Sequence, residues 1–187
     1  MILKKANAVL GILSSFAVLV HMGYNCFSYL TFYYNPGLKL ATSIPLMVLV
    51  CAHAVCGMCS VFLQADGTNT FQYPAQNKRI IIQRISAALI FPLLFLHIKT
   101  FDLLRSCADN GLWLVFGLLM VVQIFFYVVI ALHTMVSFSR ACITLGMIDD
   151  ERKVKIVDMI VWCVMGAALI ATSVSVIRGQ LIMFIPR

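Results

Sequence analysis

The chain has 187 residues, of which 62% are hydrophobic and only 11% are charged, and its formal net charge is +7 at pH 7. A soluble domain of this length could not bury so much apolar surface, so the composition excludes a soluble protein and indicates an integral membrane protein. The positive charges fall on both predicted membrane faces, where they suit anionic lipid headgroups, and this spread argues against nucleic-acid binding.

Five apolar segments follow one another along the chain, and each is near or above the roughly 20 residues that cross a bilayer. They cover residues 6–34, 40–64, 79–104, 111–145 and 154–178. The connections between them are short and leave no residues for a soluble domain. The sequence therefore predicts an all-α fold, in which residues 1–187 form a single domain, an integral membrane bundle of five transmembrane helices.

The distribution of basic residues predicts the orientation of this bundle. With the N-terminus in the cytoplasm, nine Lys and Arg residues lie on the inner side and five on the outer side. The first segment is too long for a signal peptide and carries His21 and Asn25 within it. We expect a multi-pass protein of the cell (inner) membrane with a cytoplasmic N-terminus.

Each of the first four segments carries one histidine near its middle, and the chain has no others. Ionisable side chains at bilayer depth are costly to insert and usually have a function. Neutral imidazole is also the commonest metal ligand among side chains. The four candidate metal ligands are His21, His53, His97 and His133.

Helix geometry converts these four positions into depths. At 1.5 Å per residue, His21 and His97 lie roughly 24 and 27 Å from the inner anchors Lys5 and Arg79, and His53 and His133 lie roughly 20 and 10 Å from Asp66 and Arg140. The histidines thus form an outer pair and an inner pair. Two pairs at different depths do not suit one tetrahedral zinc site, but they suit two haem irons, each bound by two histidines. The alternative is a set of buried histidines that only form hydrogen bonds.

Residues around the histidines carry a resemblance to a known family. In the third segment, Gln83 precedes His97 by fourteen residues, and in the fourth segment Arg140 follows His133 by seven. Together with the histidines of the first two segments, these spacings resemble the di-haem cytochrome b membrane anchor of the succinate dehydrogenase and fumarate reductase family. The resemblance covers all five segments in order.

The resemblance implies two haem b groups, the outer one bound by His21 and His97 and the inner one by His53 and His133, with Gln83 and Arg140 as further haem-binding residues. It also implies a non-catalytic, electron-transfer subunit of an oxidoreductase complex. Such a subunit passes electrons between the quinone pool, menaquinone or ubiquinone, and iron–sulfur and flavoprotein subunits on the cytoplasmic side.

Two further expectations concern the surroundings of the haems. Propionate groups need cationic or hydrogen-bonding neighbours, and the candidates are Lys99, Arg105 and Arg178 outside and Gln83, Arg84 and Arg140 inside. The loop at 66–78 is the expected docking surface for the partner subunits, through Thr68, Asn69, Gln72 and Gln76.

The chain departs from the family at its acidic residues. Menaquinol-oxidising members have a glutamate two residues before the fourth-segment histidine, where this chain has Ala131, and Glu151 is its only glutamate. A glutamate-based proton route is therefore not carried over.

Three other functions remain open. One is a b-type cytochrome subunit for a different reductase or a hydrogenase. Another is a histidine-based proton-relay transporter, although the chain lacks the acids within the membrane that usually accompany such relays. The third is a thiol–quinone oxidoreductase using Cys56-Gly57-Met58-Cys59, although the motif has no partner cysteines in an outer loop.

Overall fold

A computed structural model describes residues 2–63 and 74–185. Within them the chain forms five α-helices, each long and apolar enough to cross a membrane. These are α1 (Ile2–Thr31), α2 (Pro36–Leu63), α3 (Pro74–Asp109), α4 (Trp113–Thr144) and α5 (Glu151–Phe184). The predicted all-α, five-helix membrane bundle is confirmed. We call the end of the bundle where α1, α3 and α5 begin the inner end, because the charge distribution predicts that it faces the cytoplasm.

The helices extend beyond the predicted apolar segments at most of their ends. The second predicted segment begins at residue 40, but α2 already begins at Pro36, and the side chain of Asn35 just before it accepts a hydrogen bond from the Leu38 amide at 3.1 Å. Proline suits the first turn of a helix, and asparagine is a preferred capping residue. Likewise α3 begins at Pro74, so Lys78 is helical rather than part of the loop.

Three of the helices form the centre of the bundle, since α1, α4 and α5 all pack against one another. Two helical hairpins, α1/α2 and α3/α4, are joined through the contact between α1 and α4. In the described residues, α2 packs only on α1, and no Cα of α2 comes within 8 Å of α3 or α4. The same holds between α1 and α3. The two hairpins are therefore separated by a gap on the side where α2 faces α3 and α4.

Candidate functional site

The inner histidines meet across the gap between the two hairpins. His53 on α2 and His133 on α4 have ring centres 6.3 Å apart, with their planes inclined at 68°. Two imidazoles that bind one metal ion from opposite sides, each about 2.0 Å from nitrogen to metal, have ring centres about 6 Å apart. The spacing of this pair therefore fits two ligands of one metal ion.

His53 is held by the first helix. Its Nδ1 lies 3.1 Å from the carbonyl oxygen of Asn7. Because a carbonyl can only accept, Nδ1 carries the proton and Nε2 keeps its lone pair. The ring also packs against Gly11, where an added Cβ would lie 3.0 Å from the His53 Cε1. Glycine at this position leaves room for the imidazole.

His133 is held in the same way by the third helix. Its Nδ1 lies 3.0 Å from the Ser86 hydroxyl and 3.2 Å from the Gln83 carbonyl oxygen. The Ser86 hydroxyl donates its own proton to the Ile82 carbonyl at 2.8 Å, so it accepts from His133. Outer-shell bonds of this kind fix the tautomer and the orientation of metal-binding histidines.

The Nε2 atoms of the inner pair therefore keep their lone pairs. Neither atom takes part in a hydrogen bond formed among residues 2–63 and 74–185. The chemistry of the donor set and its spacing both fit a metal bound between His53 and His133.

The outer histidines are less completely supported. His97 on α3 lies against Phe126, with ring centres 4.9 Å apart, and edge-on to Tyr127 at 5.9 Å. Its Nδ1 is buried and has no hydrogen-bond partner in the described part of the chain. A buried nitrogen without a partner costs about 1–3 kcal/mol. A bound group beside His97 could remove this cost.

His21 is the other histidine of the predicted outer pair. Its Nδ1 lies 3.5 Å from the Ser43 hydroxyl of α2. Gly11 marks the level of His53 on α1, and His21 is ten residues further along the same helix, which corresponds to about 15 Å. His21 and His53 therefore lie at two separate levels of the bundle.

The cationic residues expected near the haem propionates occupy varied surroundings. Arg178 donates to the Leu30 carbonyl at 3.4 Å and lies over the Phe32 ring. Arg84 and Arg140 are half-buried, and each already has an interaction partner. Lys99 and Arg105 are exposed near the outer end, and the Gln83 carbonyl serves His133. The expected docking residues Thr68, Asn69 and Gln72 lie outside the described residues, and Gln76 lies in the first turn of α3.

Sequence reasoning missed several polar residues near the histidines. Two buried polar groups near the inner end have no partner in the described residues: the side-chain oxygen of Asn7 and the hydroxyl of Ser60. Asn7 contacts His53 through its backbone carbonyl, and Ser60 follows His53 by seven residues on α2. Ordinary residue types at unremarkable positions give no signal for such contacts, which depend on the register between helices.

Arg79 is the most extensively bonded of the residues that were missed. Its guanidinium donates to both carboxylate oxygens of Asp158 on α5, at 2.8 and 2.7 Å, and to the Ser139 hydroxyl of α4 at 2.7 Å. It also donates to the Val136 carbonyl at 2.7 Å. One side chain therefore ties α3, α4 and α5 together, one turn before Gln83 and close to His133.

Comparisons with known proteins identify no relative of this chain. The chain matches no protein-family model, no curated protein and no solved structure. Within the described residues, no three His, Cys, Asp or Glu side chains gather into a group that could hold a metal ion. The candidate ligands there are the paired histidines.

Proposed function

We propose that this chain is the di-haem membrane anchor of a quinone-linked oxidoreductase of the fumarate reductase or succinate dehydrogenase type. The observation that carries the proposal is the inner pair. Two imidazoles from separate helices face each other at 6.3 Å, and each has its Nδ1 proton bound by a backbone carbonyl. This arrangement is typical of metal ligands that are fixed by their outer shell.

In this proposal the chain's residues supply ligation, orientation and an apolar medium. A haem bound between two histidines exchanges single electrons between donor and acceptor molecules. His53 and His133 would hold the inner group, with Asn7, Gln83 and Ser86 fixing their tautomers. His21 and His97 would hold the outer group. Substrate chemistry would belong to iron–sulfur and flavoprotein partners at the inner end, with menaquinone or ubiquinone exchanging electrons in the membrane.

The hydrogen bonds favour this role over a proton relay. A relay requires each imidazole to pass its proton to a neighbouring acid or base, yet both inner Nδ1 protons are bound to backbone carbonyls, which accept no proton at neutral pH. Asp158, an acid on α5 near this level, is paired with Arg79. No carboxylate hydrogen-bonds to any of the four histidines in the described residues.

The test is a reduced-minus-oxidised visible spectrum of the purified protein with haem quantified per chain. Two b-type haems are expected, and a protein without haem after expression with adequate haem supply would refute the proposal. His97→Ala and His133→Ala should each lose one haem and retain the other. Tyr127→Phe is the matched control, since Tyr127 contacts His97 without being a proposed ligand, and it should retain both haems.

The partners can be tested separately by mild detergent extraction from the native membrane. Iron–sulfur and flavin-containing subunits should copurify with the chain. If the haem-loaded chain instead copurifies with a hydrogenase, the haem assignment would stand and the fumarate or succinate assignment would fail.

A further inference from the structure

A small open pocket lies between α3, α4 and α5 near the inner end of the bundle. Its volume is about 260 Å³, and it is lined by Lys78, Arg79, Ile82, Val136 and Trp162. The proposed electron-transfer role uses none of these side chains. The pocket lies along the seam where α3 approaches α5, and these two helices pack less closely than the other contacting pairs.

The lining changes from charged to apolar along the membrane normal. Arg79 and Asp158 are bonded to each other and so mark one level on α3 and α5. Trp162 is four residues further along α5, about 6 Å deeper, and Ile82 is three residues further along α3, about 4.5 Å deeper. Lys78 precedes Arg79 and lies on the side of the inner surface. The pocket therefore has a cationic mouth and an apolar floor.

Only one of the two cations at the mouth lacks a salt bridge within the described part of the chain. The charge of Arg79 is neutralised by Asp158, through two bonds of 2.7 and 2.8 Å. Lys78 is exposed and forms no salt bridge with the described residues. The pocket thus offers a single positive charge to a ligand.

Two neighbouring cations on α5, Lys153 and Lys155, are already paired. Lys153 lies 2.7 Å from Asp149 and holds the pKa of that carboxyl below its usual range. Lys155 lies 2.8 Å from Glu151. Among these basic residues of α3 and α5, Lys78 is the one that combines an uncompensated charge with a place at the pocket.

We infer that this pocket binds one anionic phospholipid of the inner leaflet, with its phosphate at Lys78 and an acyl chain along Ile82, Val136 and Trp162. A free phosphate would gain only one exposed ion pair, which contributes little to binding, and would leave the apolar walls unfilled. A phospholipid satisfies both the charge and the apolar surface. The indole of Trp162, which is 49% exposed, is the kind of side chain found at the boundary between headgroups and hydrocarbon.

The two tryptophans of the chain allow a direct test, because Trp162 lines the pocket and Trp113 begins α4 at the opposite end of the bundle. Trp113→Phe leaves Trp162 as the sole tryptophan, and Trp162→Phe leaves Trp113. Each variant is reconstituted into vesicles containing phosphatidylglycerol and phosphatidylcholine, with either lipid brominated on its acyl chains. Bromine quenches tryptophan on contact, so the ratio of quenching reports which lipid occupies the site.

Phosphatidylglycerol should be preferred at Trp162 and not at Trp113. Adding Lys78→Gln should lower the preference about fivefold, since one lysine near the surface contributes about 1 kcal/mol to binding of anionic lipid. Lys5→Gln is the matched control, because Lys5 is also exposed at the inner end but lies on α1, away from the pocket, and it should leave the preference unchanged.

Three results would overturn the inference. These are equal quenching ratios at the two tryptophans, equal effects of Lys78→Gln and Lys5→Gln, and release of the quenching by millimolar inorganic phosphate. The last result would identify a site for a soluble anion. The inference concerns residues outside the proposed haem sites, so it can fail or hold whether or not the protein binds haem.

Discussion

Replacing Gly11 by alanine should disturb the inner histidine pair specifically. The added Cβ would lie 3.0 Å from Cε1 and 3.4 Å from Nδ1 of the His53 ring. The ring cannot retreat freely, because its Nδ1 is bonded to the Asn7 carbonyl at 3.1 Å. We expect the ring to shift by a few tenths of an ångström, which lengthens this bond and changes the approach of His53 to His133.

The free-energy cost of the contact between the new Cβ and His53 can be measured by comparison with a second glycine of the same helix, Gly23. An alanine Cβ at Gly23 would have no atom within 4 Å. Both substitutions share the helix-propensity gain of about 0.5–1 kcal/mol, whereas only the one at Gly11 adds an overpacking cost of about 1–3 kcal/mol. The difference in free energy of unfolding between Gly11→Ala and Gly23→Ala should therefore be about 1–3 kcal/mol.

Two measurements check this expectation. Unfolding in detergent micelles, followed by circular dichroism, gives the stability difference. Under the proposed function, the reduced-minus-oxidised spectrum should show one haem perturbed in Gly11→Ala and both haems unchanged in Gly23→Ala. If the two variants have equal stability and identical spectra, the contact between Gly11 and His53 does not constrain the ligand, and the reasoning fails.

Two further substitutions test the packing of α5. Gly179→Ala should lower the free energy of unfolding by about 1–3 kcal/mol relative to Gly166→Ala. The reason is that a Cβ at Gly179 would overlap the Tyr29 ring, whereas a Cβ at Gly166 meets nothing within 4 Å. Thermal unfolding in micelles measures both variants, and equal melting temperatures would contradict the contact. Arg79→Gln should lower the free energy of unfolding by about 1–3 kcal/mol, because it leaves Asp158 without its partner. Adding Asp158→Asn should recover part of that loss. Strictly additive effects in a double-mutant cycle would show that the pair is not coupled.

The fold could be predicted from the sequence because the bilayer imposes a simple rule. Apolar runs of sufficient length must be helices, since the backbone has no other hydrogen-bond partners in hydrocarbon. The prediction of the helix ends is less accurate, because a helix can continue beyond the apolar residues that identify it. At the start of α5, Glu151 to Lys153 are charged and still helical, with the Asp150 side chain accepting from the Arg152 amide at 3.2 Å.

The candidate ligands could also be named from sequence, whereas their supporting residues could not. An ionisable residue in an apolar run is conspicuous, and helix rise gives its depth. The supporting atoms are mostly backbone carbonyls, such as those of Asn7 and Gln83, and every residue has one. Which carbonyl meets which histidine depends on the rotation and register of two helices, and these follow from packing details such as the space at Gly11.

Each histidine is supported from within its own hairpin. Within α1/α2, His53 is held by the first helix and His21 contacts the second. Within α3/α4, His133 is held by the third helix and His97 packs on the fourth. Each hairpin therefore positions one candidate ligand of each predicted pair.

Each predicted pair, by contrast, combines one histidine from the α1/α2 hairpin with one from the α3/α4 hairpin. The hairpins meet only where α1 contacts α4, and α2 packs on no helix except α1 in the described residues. A group bound between His53 and His133 would thus link α2 directly to α4, in addition to the packing of α2 on α1. Under the proposed function, ligation and assembly are the same event: the cofactor closes a gap that the helices alone leave open, so its binding free energy also stabilises the five-helix arrangement.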